Sequence, residues 1–261
     1  MTSYLHEIQS NIIDLCSDSA WLKKDGQHFY RPHGTIFRGE EECYPHVSST
    51  LYRHLEETVP KWKEWKDGDR EAKILEYEHS IAFHAQSFLG EIDTYFSGFP
   101  PYIGENPCWQ EIPEETKRIL AEVRHNGGKT NFIDFSMDIN VALFFACYSA
   151  TGGDCDGRVI LYHPSKNKNM HDGCVFPKVT HSDNQRSILV RPDYYSYSRN
   201  TEGQVAGILH PDDYDVVIVP RNKKQQLLLD LWKYHGIRPE LIYRSLSGFI
   251  ANQDLVLPQK T

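Results

Sequence analysis

The sequence predicts an α+β fold, a core of short strands flanked by helices. Residues 132–136 form a short apolar run that leads through a polar junction into the apolar segment 141–146, a pattern typical of a buried strand followed by a buried helix. Residues 213–220 (DYDVVIVP) contain four consecutive β-branched residues, which is the clearest strand signal in the chain. Apolar residues recur at helical spacing in 70–92 and in 222–235. No internal repeat interrupts this order.

Glycine and proline residues separate the remaining predicted elements. A helix is expected within residues 3–17, a strand at 34–39 (GTIFRG) and another short strand at 204–209. Residues 21–32 are predicted to be a loop. Residues 97–113 are also a predicted loop, because they hold four prolines and two glycines, and this loop is long enough to act as a lid.

Composition limits the function classes. The chain has 261 residues and a net charge of −8, which disfavours a sequence-independent coat on nucleic acid but allows a local basic cleft. The six cysteines form no C-x-x-C pair, and no metal site is expected. The N-terminus is polar where a signal peptide has an apolar core, and no apolar run is long enough to span a bilayer. We therefore expect a cytoplasmic protein with no membrane partner.

The polar residues at the strand-to-helix junction are candidates for chemistry, because amide groups at such a junction point outward and can hold anions or ribose hydroxyls. Asp134 and Ser136 interrupt the apolar run, and Asp138 leads into the helix. The alternative is structural: Asp138 caps the helix and Asp134 bonds the nearby backbone. The helix itself is expected to be buried, including Phe145.

Arg38 ends the first predicted strand of the core. Its planar guanidinium could point into a cleft, and Gly39 would let a ligand approach the backbone. The alternative is an ion pair with one of the glutamates at 40–42. His125 lies at a predicted helix end just before the central strand, where a cationic ring would also suit the helix dipole.

These blocks resemble the FRG domain, which is named for the Phe-Arg-Gly found here at residues 37–39. Its second block is similar to RHNGGKTNFIDFSMDINVALFFA at residues 124–146. Matching positions in that block are His125, Thr130, Asp134, Ala142, Leu143, Phe145 and Ala146. Departures from the usual family residues are Arg124 for Gln, Asn131 for Arg, Phe135 for Trp and Ser136 for Thr. The resemblance implies an FRG domain at residues 30–261, preceded by an N-terminal helical segment at 1–29.

The FRG domain is in turn similar to the ADP-ribosyltransferase superfamily, which implies a split β-sheet core. It also implies NAD as a substrate, without a metal. By this resemblance the NAD-binding residues are Arg38, Gly39, His125, Thr130 and Ser136. The predicted catalytic residues are Asp134, Glu202 and Gln204.

Gln204 stands where the superfamily has its usual catalytic glutamate. Either Glu202 or Asp134 supplies the carboxylate, or the chain binds NAD without transferring ADP-ribose. The first hypothesis is therefore an NAD-dependent ADP-ribosyltransferase, a toxin or phage-defence effector that modifies nucleic acid or protein and has an antitoxin or immunity partner. The second is a noncatalytic module that senses a ligand or partner on the same scaffold, and a nuclease or other hydrolase is the third.

Overall fold

The computed structural model describes most of the chain, in nine stretches. They are residues 3–16, 21–24, 27–30, 34–92, 114–148, 154–163, 175–177, 187–192 and 207–242. The predicted loop at 97–113 lies outside them. So do the predicted catalytic residues Glu202 and Gln204.

Helices and strands both occur throughout these stretches, so the predicted α+β class is confirmed. The helices are α1 (Tyr4–Leu15), α2 (Thr50–Thr58), α3 (Asp67–Ile92), α4 (Glu114–His125), α5 (Ile139–Cys147), α6 (Arg221–His235) and α7 (Pro239–Ile242). The strands are β1 (Trp21–Lys24), β2 (Gln27–Tyr30), β3 (Ile36–Glu40), β4 (Ile133–Ser136), β5 (Gly157–Tyr162), β6 (Val175–Pro177), β7 (Ser187–Val190) and β8 (Tyr214–Val219). Within the described stretches, no helix has both the length and the apolar character needed to cross a bilayer.

Six of the strands form one open sheet in the order β6-β7-β4-β3-β5-β8. Every neighbouring pair in this sheet is antiparallel. The core described here is thus a single continuous sheet, and the predicted division into a split core is not seen in these stretches. Strand β3 lies near the middle, between β4 and β5.

Strands β1 and β2 form a separate antiparallel hairpin, with Lys24 paired to Gln27. The prediction of a loop at 21–32 is therefore wrong. The missed signal is the dipeptide Asp25-Gly26 between two four-residue segments, because Asp-Gly suits the two-residue turns of β-hairpins.

Helix α5 packs directly on the sheet through two glycines. A Cβ atom added to Gly39 of β3 would overlap the carbonyl oxygen of Ala142 and lie 2.6 Å from the backbone nitrogen of Ala146. At Gly157 of β5 an added Cβ would overlap the carbonyl oxygen of Ala146. The close approach that requires glycine at position 39 is thus made by a helix of the same chain, whereas the sequence suggested the approach of a ligand.

The start of α5 is fixed by side-chain hydrogen bonds. Asp138 is the N-cap, since its Oδ1 accepts from the backbone N–H of Asn140 at 2.9 Å. The backbone N–H of Asp138 in turn donates to Ser136 Oγ at 3.0 Å. The capping interpretation of Asp138 is confirmed, and it orients the chain where β4 turns into α5.

Helix α5 is not buried on all sides. Phe144 is 1% exposed and packs in the main apolar core, whereas Phe145 is only partly buried. Phe145 packs against this core without being fully buried, so the expected burial is met only in part. An apolar helix sequence does not reveal which of two adjacent phenylalanines faces a cavity.

A buried ionic cluster joins α3 to the sheet. Arg191, which follows β7 and has a fully buried side chain, donates through Nη2 to Glu78 Oε2 at 2.9 Å and to Glu71 Oε1 at 3.2 Å. Glu78 Oε1 also accepts from the backbone N–H of Asn131 at 3.2 Å. Charged groups are costly to bury unless they are paired, and here both glutamate carboxylates contact the guanidinium of Arg191.

Candidate functional site

A cleft opens where β3, β4 and α5 meet the end of α4. Its volume is about 340 Å³. The apolar side is formed by Phe37, Phe135, Val141, Ala142 and Phe145. The rest of the wall is formed by Arg38, Gly39, Arg124, His125, Gly127, Asp134, Ser136 and Ser187.

Five of the eight predicted site residues meet in this cleft. They are Arg38, Gly39, His125, Asp134 and Ser136. A sixth, Thr130, is fully buried and does not line the cleft. Its hydroxyl accepts from the backbone N–H of Phe132 at 3.4 Å, and its carbonyl accepts from that of Leu51 at 3.2 Å. Thr130 therefore connects the segment that precedes β4 with helix α2.

Arg38 is held in place from two sides. Its Nε donates to Glu40 Oε1 at 2.8 Å, and its Nη1 donates to the carbonyl oxygen of Asp134 at 2.9 Å. Among the described residues, neither of these two hydrogen bonds involves the Nη2 atom of Arg38. The ion pair with Glu40 that the sequence left open is therefore present, and the same side chain still lines the cleft.

Glu40 connects two arginines beneath the cleft. It is 4% exposed, and its Oε2 accepts from Arg158 Nε at 2.8 Å while Oε1 binds Arg38. Because Arg158 also pairs with this carboxylate through Nη2 at 2.7 Å, the charge of Glu40 stays compensated even without Arg38. The position of Arg38 is thus set before any ligand arrives.

Arg124, at the end of α4, forms an ion pair with the carboxylate of Asp134. Its Nη1 also donates to Thr50 Oγ1 at 3.3 Å and to the carbonyl oxygen of Gly128 at 3.5 Å. Sequence comparison treated Arg124 only as a departure from the family pattern. The signal that was missed is its place beside His125, directly before the Asn-Gly-Gly stop of the helix.

Arg53 of α2 completes a group of cationic side chains. Burial lowers the pKa of its guanidinium, and the charges of Arg38 and Arg124 lower this pKa further, while Glu40 acts in the opposite direction. Arg53 therefore lies close enough to both cleft arginines to feel their charge. Three arginines thus lie in or near the cleft, two of them paired with carboxylates, in a chain whose net charge is −8.

This arrangement suits an anionic ligand with a flat apolar part. Guanidinium groups bind phosphate oxygens through paired hydrogen bonds. Phe145 offers a partly buried aromatic wall on the opposite element. Among the described residues, no cluster of three or more His, Cys, Asp or Glu side chains could hold a metal ion.

Comparison with known proteins supports one part of the sequence prediction. Residues 33–154 match the model of the FRG domain family. This stretch contains every residue that lines the cleft except Ser187. No curated protein and no solved structure matches the chain. The FRG domain is thus supported over these residues, and the wider boundaries of 30–261 stay a prediction.

Proposed function

We propose that the cleft binds NAD and that the protein is an NAD-dependent ADP-ribosyltransferase. The observation that carries this proposal is the pair of guanidinium groups on Arg38 and Arg124 in one cleft, with Arg53 nearby. NAD carries a diphosphate between two nucleosides, so a preorganised cationic wall matches the charged centre of the molecule.

The chemistry that follows needs a carboxylate near the ribose. As nicotinamide leaves, positive charge develops on the ribosyl carbon, and a nearby carboxylate stabilises it. An acceptor nucleophile then bonds to that carbon and releases its proton to a base. Asp134 is the acidic side chain that lines the described cleft, and Arg124 compensates its charge until a ligand is bound.

In this proposal the other predicted residues have supporting roles. Arg38 holds the diphosphate, while His125 and Ser136 contact the nucleoside from the adjacent ends of α4 and β4. Glu202 and Gln204 keep the catalytic assignment that the family resemblance gives them. The acceptor is nucleic acid or protein, and a role as a toxin or phage-defence effector with an antitoxin or immunity partner is part of the same proposal.

A second candidate is a noncatalytic module that binds NAD or a related nucleotide. Two observations favour it. The carboxylate of Asp134 is already neutralised by Arg124. By the superfamily resemblance, Gln204 also stands where the usual catalytic glutamate is expected. Such a module would use the same cationic cleft but would not break the bond between nicotinamide and ribose.

The decisive experiment measures NAD binding by calorimetry and nicotinamide release with mixed DNA, RNA and protein acceptors. Arg38→Ala is expected to weaken NAD binding roughly 10- to 150-fold, because a lost charged hydrogen bond costs about 1.5–3 kcal/mol. It is expected to stay folded, since Arg158 still compensates Glu40. Arg124→Gln, which restores the usual family residue, is expected to weaken binding less than Arg38→Ala does.

The control is Arg221→Ala, which removes an exposed arginine that pairs with Asp154 and does not line the cleft. Labelled ADP-ribose on one acceptor class, lost in Arg38→Ala and Glu202→Ala but kept in Arg221→Ala, would support the transferase. Binding without turnover would favour the noncatalytic module. No binding of NAD by the wild-type protein at millimolar concentration would contradict the transferase and leave only a module for a related nucleotide.

A further inference from the structure

Two cysteines, Cys43 and Cys155, lie on neighbouring chain segments just beyond the paired ends of β3 and β5. The two strands pair in a constant antiparallel register, from Ile36 with Tyr162 to Glu40 with Arg158. The observed pairing ends at Glu40 and Arg158, and the same register, extended by three residues, would place Cys43 opposite Cys155. Directly opposite residues of an antiparallel pair place their side chains on the same face, at a separation suited to a disulfide.

The thiol contacts confirm that the two chain segments stay side by side beyond the last paired residues, Glu40 and Arg158. Cys43 Sγ lies 3.7 Å from the carbonyl oxygen of Asp156 and 3.8 Å from that of Gly157. Cys155 Sγ lies 3.6 Å from the carbonyl oxygen of Glu41. Each thiol therefore reaches across to the segment that carries the other.

We propose that Cys43 and Cys155 are a modification site that forms a reversible disulfide on reaction with a small disulfide such as oxidised glutathione. The exposed thiol of Cys43 loses its proton, attacks one sulfur of glutathione disulfide and releases one reduced glutathione. Cys155 then loses its proton, and its thiolate attacks the sulfur of Cys43 and releases the second reduced glutathione. Both protein thiols are oxidised, and one glutathione disulfide is reduced to two thiols.

The other described cysteines are poor competitors for this reaction. Cys147 is 5% exposed, and burial raises the pKa of its thiol to about 12. Cys16 is less accessible than Cys43, and burial raises the pKa of its thiol. Cys43 is exposed, so it is the thiol that a small disulfide reaches first.

The bond would close a long loop that contains the cleft-lining residues of α4, β4 and α5. Cross-linking a long loop restricts the unfolded chain and so stabilises the folded one. Oxidation is therefore expected to raise the melting temperature of the protein. This effect does not depend on what the cleft binds.

The test treats the full chain with a series of reduced and oxidised glutathione ratios and then maps its peptides without reduction. The expected result is a linked peptide pair that contains Cys43 and Cys155, a mass loss of two hydrogens and a higher melting temperature. Cys155→Ser is expected to stop at a glutathione adduct on Cys43 and to lose the temperature rise. Cys16→Ser, the matched control, is expected to form the bond as the wild type does.

Two results would overturn the proposal. One is a wild-type protein that carries only glutathione adducts under every ratio. The other is a disulfide that links either cysteine to a different partner. Both results are measured on the wild-type protein. A loss of folding in Cys43→Ser or Cys155→Ser would therefore not obscure either of them.

Discussion

Gly39→Ala is expected to prevent stable folding. The new methyl group would occupy the position of the Ala142 carbonyl oxygen, and backbone atoms of a helix cannot move aside as a flexible side chain can. Overpacking a core typically costs about 1–3 kcal/mol and occasionally more. We expect at least the upper end of that range, because all of α5 would have to move away from β3.

The measurement is the midpoint of urea unfolding, or the soluble yield if no folded protein is obtained. Gly68→Ala is the matched control, since no heavy atom lies within 4 Å of a Cβ built there. Gly68 lies in the first turn of α3, so alanine is expected to leave stability unchanged or to raise it by up to about 1 kcal/mol. Equal stability of the two variants would show that α5 does not contact β3 as closely as described.

Arg191→Met is expected to destabilise the protein by about 3–5 kcal/mol, because it leaves two buried carboxylates without their cation. Glu71 is 2% exposed and Glu78 is fully buried. Methionine is close in size to the aliphatic part of the arginine side chain. The loss in free energy of unfolding therefore comes mainly from the missing charge. Chemical denaturation monitored by tryptophan fluorescence measures this difference.

A matched control and a rescue make this prediction specific. Arg221→Met removes another ion-paired arginine, but one whose side chain is 59% exposed, so a loss of about 1 kcal/mol or less is expected. Glu78→Gln added to Arg191→Met should recover part of the lost stability, since it removes one uncompensated charge. A double variant no more stable than Arg191→Met would contradict the electrostatic explanation.

The sequence predicted the parts of the fold that local signals define. The β-branched run of β8, the glycine stop after α4 and the Asp138 cap of α5 all follow from neighbouring residues. The same signals assigned Arg38 to the end of its strand, but Arg38 lies in the middle of β3 and Asp134 lies within β4. Their meeting in one cleft could be expected only from the family resemblance.

The parts that local signals do not define were missed or misread. Gly39 was interpreted as space for a ligand, but the need for glycine comes from α5, which is more than 90 residues away in the sequence. The pairing of Arg124 with Asp134 depends on how α4 meets β4. Likewise, no periodicity within α5 distinguishes Phe144 in the core from Phe145 in the cleft.

The central position of β3 in the sheet also affects how the chain folds during its synthesis. Its partner β5 ends at Tyr162, about 120 residues after Glu40 closes β3. On a ribosome that adds about 5–20 residues per second, β3 waits roughly 6–24 s before that partner has been synthesised. Stalled chains that end before β5 should therefore be cleaved readily by protease near β3. During that interval the edge of the Phe-Arg-Gly strand that will pair with β5 stays unpaired even after β4 has been made, and an unpaired strand edge is prone to aggregation.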